Sequence, residues 1–311
     1  MAALSTLFPV FFMVLLGIIS RIKGFVTPEQ KEGANNIVFN VFFPILIFNI
    51  LLTSKIESSA ILIVVYVFIA FVLTMFIGKL FTKFTGERFS HISYFMLTTC
   101  EGGNVALPLY TSIVGVAYAS NTVIFDLAGT LIAFVLIPIM VAKLNAGQTS
   151  PKELAKTIFT NSFVIAVILG LGLNLLGVYN MLAQTPFIDV YTNTINMITG
   201  PIIGMILFII GYNLKINMDT LGSLLKLLIV RIVLFAFVIV GFFVFFPHLM
   251  ADKIYMLAVL IYFMCPTGFA LPMQISPLFK SEEDNSYTAA LISLNMVVTL
   301  IVYTVIVIFI V

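Results

Sequence analysis

The sequence predicts an all-α integral membrane protein of ten transmembrane helices, built as two inverted five-helix repeats with helices four and nine broken and crossing. Three observations predict it. The 311 residues are 61% hydrophobic and only 9% charged, with mean hydropathy +1.19; soluble domains average about 45–50% apolar and about 25% charged residues. Apolar runs of spanning length recur along the whole chain with short connections. Finally, one kind of interruption occurs twice inside such a run, as Cys100-Glu101-Gly102-Gly103-Asn104-Val105-Ala106-Leu107-Pro108 and as Cys265-Pro266-Thr267-Gly268-Phe269-Ala270-Leu271-Pro272-Met273-Gln274.

A span needs about 20 mostly apolar residues. In order, the runs are 4–20, 34–53, 59–81, 90–115 (broken), 120–143, 157–178, 188–213, 223–246, 254–279 (broken) and 286–310. The first lacks a basic leader and a small-residue cleavage site, so it is expected to be a span and not a signal peptide. The first repeat is placed at 1–146 and the second at 157–311, joined by a linker over 147–156 that holds Pro151, Lys152 and Lys156.

Loop charge sets the expected orientation. One set of loops carries Arg21, Lys23, Lys31, Lys79, Lys83, Arg88, Lys143, Lys152, Lys156, Lys215, Lys226, Arg231 and Lys280, which is 13 of the 15 basic residues; the opposite loops hold only Lys55 and Lys253. The basic side is expected to be cytoplasmic and both termini extracellular, in the cell membrane. The net charge of +2 argues against a nucleic-acid partner.

The duplication is read from matched residues. Ala106-Leu107-Pro108 corresponds to Ala270-Leu271-Pro272, and fifteen positions after each alanine stand Asn121-Thr122 and Asn285-Ser286. Asn36 precedes Pro44 by eight positions, as Asn193 precedes Pro201, and Lys55-Ile56 pairs with Lys215-Ile216. Five spans per half put the halves in opposite orientations, the plan of many secondary transporters, with the binding site at the repeat interface.

A helix broken inside the bilayer frees backbone N–H and C=O groups that lipid cannot satisfy, so each break has to line an enclosed, polar place. Gly102, Pro108, Pro266 and Pro272 are the expected helix breakers. Gly103 and Gly268 permit close backbone approach, and Asn104, Thr267 and Gln274 can hydrogen-bond a ligand or cap a helix. These five are the expected substrate contacts. Helix N-termini after the breaks present positive dipole ends suited to an anionic group.

Charges at bilayer depth are costly and mark function by default. Glu101 lies within the first break and Asp126 about two turns into the fifth span; the other acids fall in loops or near span ends. This pair can share a hydrated pocket, take up a proton, or hold Na⁺ between carboxylates, hydroxyls and carbonyls. The competing reading makes both structural acids bonded to freed backbone N–H groups. Without a Lys or Arg nearby in sequence, no neutralising ion pair is expected. Cys100 and Cys265 read as small packed residues, with no metal-ligand spacing.

Ten spans, Gly/Pro crossings in the fourth and ninth, Gly103 through Leu109 with Pro108, and Pro266-Thr267 together resemble the auxin efflux carrier family, whose fold is similar to that of bile-acid/sodium symporters. The resemblance covers essentially the whole chain. It implies a scaffold of spans one, two, six and seven and a mobile domain of spans three to five and eight to ten. It also implies substrate binding at the crossing, an elevator-like shift, frequent homodimers, and small carboxylic acids as substrates. One position departs from the family pattern. Seven residues before the crossing proline the family commonly has Asn, and here stands Glu101, which repels an anion unless it is protonated or paired with a cation.

The expected function is therefore secondary transport of a small organic solute, a carboxylate by resemblance, coupled to H⁺ or Na⁺ through Glu101 and Asp126, with membrane lipid around it and no other cofactor. A Na⁺/H⁺ antiporter without organic substrate is the nearest alternative. A passive channel would not saturate or show counterflow. An intramembrane enzyme would use the two acids as a general acid–base dyad, but no Gly-x-Gly-Asp context is present and the duplication would go unexplained, so the chain is not expected to be an enzyme.

Overall fold

The structure is a computed structural model that describes residues 2–53, 59–144, 152, 156, 160, 162–214, 221–269 and 271–311. Among these it is helical, without a β-strand. Most of the 147–156 linker, and Lys55, Ile56, Lys215, Ile216 and Ala270, lie outside the described residues. Among the described residues five helices are long and apolar enough to cross a membrane: Pro28–Thr53, Ala60–Leu80, Phe187–Asn213, Leu221–Phe245 and Glu282–Phe309. Val164–Leu175 and Lys253–Phe263 are shorter apolar helices.

The chain divides into two compact units, each assembled from two separate stretches. Residues 1–57 and 155–213 form the first, the stretches assigned to spans one, two, six and seven. Residues 58–154 and 214–311 form the second, the stretches assigned to the other six.

In the first unit, helix Ala2–Lys23 packs on helix Ile202–Asn213 at backbone distance. A Cβ added to Gly17 would overlap the Phe208 carbonyl, and one added to Gly211 the Val14 carbonyl. Lipid tails give no hydrophobic drive for helices to pair, so close approach over small residues supplies the van der Waals contact instead. Arg21 ties the pair by donating to the Tyr212 carbonyl at 2.8 Å, and the Tyr212 hydroxyl donates to Val26 at 3.0 Å. Helix Phe43–Thr53 packs on Ser162–Leu175, whose Asn174 donates to the carbonyls of Leu51 (2.9 Å) and Leu52 (2.8 Å) in the last turn of Phe43–Thr53, groups a helix end leaves open.

The second unit is organised around aromatic packing. Phe125 meets Phe242, Tyr255, Tyr262 and Phe263 at centroid separations of 5.2–5.8 Å, most of them edge-to-face, the favourable arrangement for ring quadrupoles. Around this cluster run the helices Ser59–Leu80, Ser120–Leu131, Leu221–Phe245 and Lys253–Phe263. The two interrupted segments both belong to this unit.

The interruptions begin earlier than their prolines suggest. After short helical turns up to Leu97, the chain is non-helical from Thr98 to Glu101, then runs through a π-turn, Gly102–Ala106, straight into helix Leu107–Val114. Pro108 is the second residue of that helix but the seventh of the continuous helical run from Gly102 to Val114, so it stands past the non-helical stretch and not in it. A proline inside a helical run removes one backbone donor, and here it closely follows the wider π-turn. Likewise Met264 to Phe269 is non-helical, and Pro272 is the second residue of helix Leu271–Ile275. Gly102 opens the π-turn, and Pro266 stays within its break.

Candidate functional site

The two breaks meet. The Glu101 N–H donates to the Pro266 carbonyl at 2.7 Å. The Thr267 hydroxyl donates to the Thr98 carbonyl at 2.8 Å and lies 3.2 Å from the Thr99 hydroxyl, which accepts from the Gly268 N–H at 3.3 Å. The Thr299 hydroxyl, from the last helix, donates to the Met264 carbonyl at 2.7 Å. The freed backbone groups thus find partners inside the protein, as the membrane requires.

Thr99 is held in the left-handed region, φ 53°, the only non-glycine residue among those described with positive φ. For a β-branched residue this is an outlier, costing of order 1–3 kcal/mol, that persists only where its surroundings enforce it. Here they do, through the bonds to its carbonyl and hydroxyl.

The main enforcer is Arg231. It was counted among the loop residues of the basic side, but it is the eleventh residue of the 25-residue helix Leu221–Phe245 and is 3% exposed. Without it, 12 of the remaining 14 basic residues still fall on one side of the loop pattern. Its guanidinium donates to the carbonyls of Met96 (3.2 Å), Thr98 (3.4 Å) and Thr99 (2.8 Å), to Cys100 Sγ (3.6 Å) and to the Cys265 carbonyl (2.9 Å). Its Cζ stands 4.3 Å from the Phe235 ring centroid. A planar fork of five N–H donors can gather carbonyls from two chain segments at once, which a lysine ammonium does less well. A buried basic residue thus sits at the crossing, bonded to carbonyls and a thiol. It reaches the breaks from a distant part of the sequence.

Glu101 is 8% exposed and caps the π-turn that follows it. Its carboxylate accepts from the Asn104 backbone N–H at 3.2 Å, from the Asn104 side-chain amide, and from the Phe269 N–H across the crossing. Because Asn104 Nδ2 faces a carboxylate, the amide orientation is fixed. Its Oδ1 is buried without a hydrogen-bond partner among the described residues.

Asp126, in helix Ser120–Leu131, is partly buried. It accepts from the Tyr262 hydroxyl at 3.2 Å. A Cβ on Gly102 would overlap its carboxylate. One residue of the first break therefore links the two acids: Glu101 precedes Gly102, and Gly102 contacts Asp126.

The structure thus brings Glu101, Gly102, Asn104, Asp126, Pro266, Thr267 and Gly268 to one crossing. Thr267 is 1% exposed with its hydroxyl engaged by the backbone, so it braces the crossing more than it faces a ligand. A Cβ added to Gly268 would make ordinary van der Waals contact with Thr99 Oγ1 at 3.5 Å and Glu101 Oε2 at 3.9 Å. Gly103 is buried in the π-turn. Gln274 is in the short helix after the second break, with Oε1 buried and unpartnered among the described residues, and no contact ties it to Glu101 or Asp126. Arg231, Thr98, Thr99 and Tyr262 were not anticipated. Both cysteines are free and buried. Among the described residues no group of three His, Cys, Asp or Glu is placed to hold a metal ion.

Comparison with curated proteins found no match. A family model described as membrane transport protein matches residues 2–311. A match over essentially the full chain, together with apolar helices and two satisfied breaks inside one unit, shows that this multi-pass membrane protein belongs to the membrane transport family of the auxin efflux carriers.

Proposed function

We propose that the protein is a secondary active transporter of a small organic solute, coupled to H⁺ or Na⁺ at Glu101 and Asp126, and working by an elevator-like alternation. The observation that carries this reading is the meeting of two broken segments around two acids. Irregular backbone at membrane depth is tolerated where it is enclosed by protein or lines a cavity, and it is where transporters place their sites. Among the described residues neither acid is in an ion pair with a basic side chain, and a proton or Na⁺ can supply the missing positive charge. The acids are read as ion-coupling groups, with no general acid–base role.

The elevator element of the proposal is supported by the division into two compact units, with the whole crossing inside one of them. The carboxylate class comes from the family resemblance. For such a solute to approach Glu101, a cation has to accompany it. We further propose a homodimer in the cell membrane with both termini extracellular, on the strength of the resemblance and the loop charges.

Reconstitution into proteoliposomes tests the reading. Loading with a panel of organic solutes should reveal saturable uptake with counterflow, and solute-dependent H⁺ or Na⁺ movement. Ion exchange that proceeds identically with every solute omitted would favour the Na⁺/H⁺ antiporter.

A further inference from the structure

The half-helix N-termini at the crossing would ordinarily be an anion site. In this protein several of their donors already serve the chain's own oxygens. Asn104 N–H and its side-chain amide are directed at Glu101, Phe269 N–H at Glu101, and Gly268 N–H at the Thr99 hydroxyl. The Arg231 guanidinium is directed at carbonyls and a thiol. The hydroxyls of Thr267 and Tyr262 donate to Thr98 and Asp126.

The side chains at the crossing that keep hydrogen-bonding capacity are acceptors. Asn104 Oδ1 is buried and has no partner among the described residues, and its orientation is locked because the same amide donates to Glu101. A carboxylate oxygen has about two lone-pair sites, so Glu101 and Asp126 also keep acceptor capacity. A buried acceptor without a donor costs about 1–3 kcal/mol, and an added carboxylate would leave that cost in place while bringing a third negative charge.

We infer that the crossing receives a positively charged, N–H-bearing group, an ammonium on a small organic solute, seated against Asn104 Oδ1, Asp126 and Glu101. This rests on the carrier reading and refines it: a carboxylate, where the solute has one, points away from the acids. An ammonium brings three donors and one positive charge, which suits an unpartnered amide oxygen beside two acids.

The test uses the purified full-length protein in detergent and matched probes of one skeleton, phenethylamine against 3-phenylpropionate and butylamine against valerate, each with Na⁺ or with a bulky inert cation. Ligand stabilisation follows mass action. The amine of each pair should raise the melting temperature at concentrations about tenfold or more below its carboxylate partner, the separation expected from a charge-assisted hydrogen bond. Asn104→Asp, which leaves the skeleton in place and adds an acceptor, should keep the amine preference. Asp126→Asn should remove it, and Gly86→Ala, remote from the crossing, reports generic destabilisation. Stabilisation by the carboxylates but not the amines overturns the inference and leaves the carrier reading standing. Stabilisation by Na⁺ alone, with no organic probe active, also overturns the inference and favours the antiporter. An absence of any probe-dependent shift, together with no counterflow in proteoliposomes, overturns both.

Discussion

The backbone N–H of Phe269, in the second break, donates to the carboxylate of Glu101, in the first. The acid is thus part of the joint between two half-spans and, at the same time, the charge at its centre. Any change in what Glu101 carries, a proton or a cation, bears directly on how the two segments are held.

Glu101→Gln should separate these roles. Glutamine keeps one carbonyl oxygen for Asn104 but turns an NH₂ toward one of the remaining donors. We expect a stability loss of about 1–3 kcal/mol, the cost of a buried donor without an acceptor. Thermal unfolding of the variant in detergent checks this, and insertion in the membrane should be unaffected.

Arg231 should be the least replaceable residue of the crossing. Arg231→Met orphans carbonyls of both breaks. Removing one partner from a buried charged network costs about 3–5 kcal/mol. Arg231→Lys preserves the charge but not the fork, so it should recover part of the stability and little of the transport. Melting curves and uptake rates of the two variants, set side by side, distinguish charge from geometry.

Two glycines of the crossing should behave oppositely. Gly102→Ala places a methyl group in the Asp126 carboxylate, and the acid must move. We expect loss of transport and about 1–3 kcal/mol of destabilisation. Gly268→Ala meets only ordinary van der Waals neighbours, and its stability should stay within about 0.5–1 kcal/mol of wild type. Thermal unfolding of the two variants beside wild type measures the difference.

In the other unit, Gly211→Ala drives a Cβ into the Val14 carbonyl. Backbone cannot yield as a side-chain tip does, so the helix pair must separate. We expect a lower melting temperature while solute binding at the crossing is retained, measured by titrating the variant at a temperature below its transition.

The acids were legible in the sequence because charge inside an apolar run has few structural excuses, and the duplicated Gly/Pro pattern located both breaks within a few residues. Pro108 and Pro272 misled by proximity: each marks the vicinity of a break but stands in the helical segment that follows it. Arg231 was hidden for another reason. Five residues from Lys226, it reads as one of a cluster of long basic side chains at a span end. The available signal was its position among Leu227, Leu228, Ile229, Val230, Ile232, Val233 and Leu234, too deep for a charge to reach water easily. The left-handed Thr99 and the hydroxyl of Tyr262 had no signal at all, since each depends on a contact made only by the folded chain.

The most direct measurement is solute-driven H⁺ and Na⁺ flux in proteoliposomes, recorded for wild type and Glu101→Gln with the solute that stabilises the purified protein. Coupled transport through Glu101 predicts ion movement on addition of solute to wild type, and solute counterflow without ion movement in the variant. Unchanged ion movement in Glu101→Gln would contradict it, making Glu101 a structural joint and placing the coupling group elsewhere.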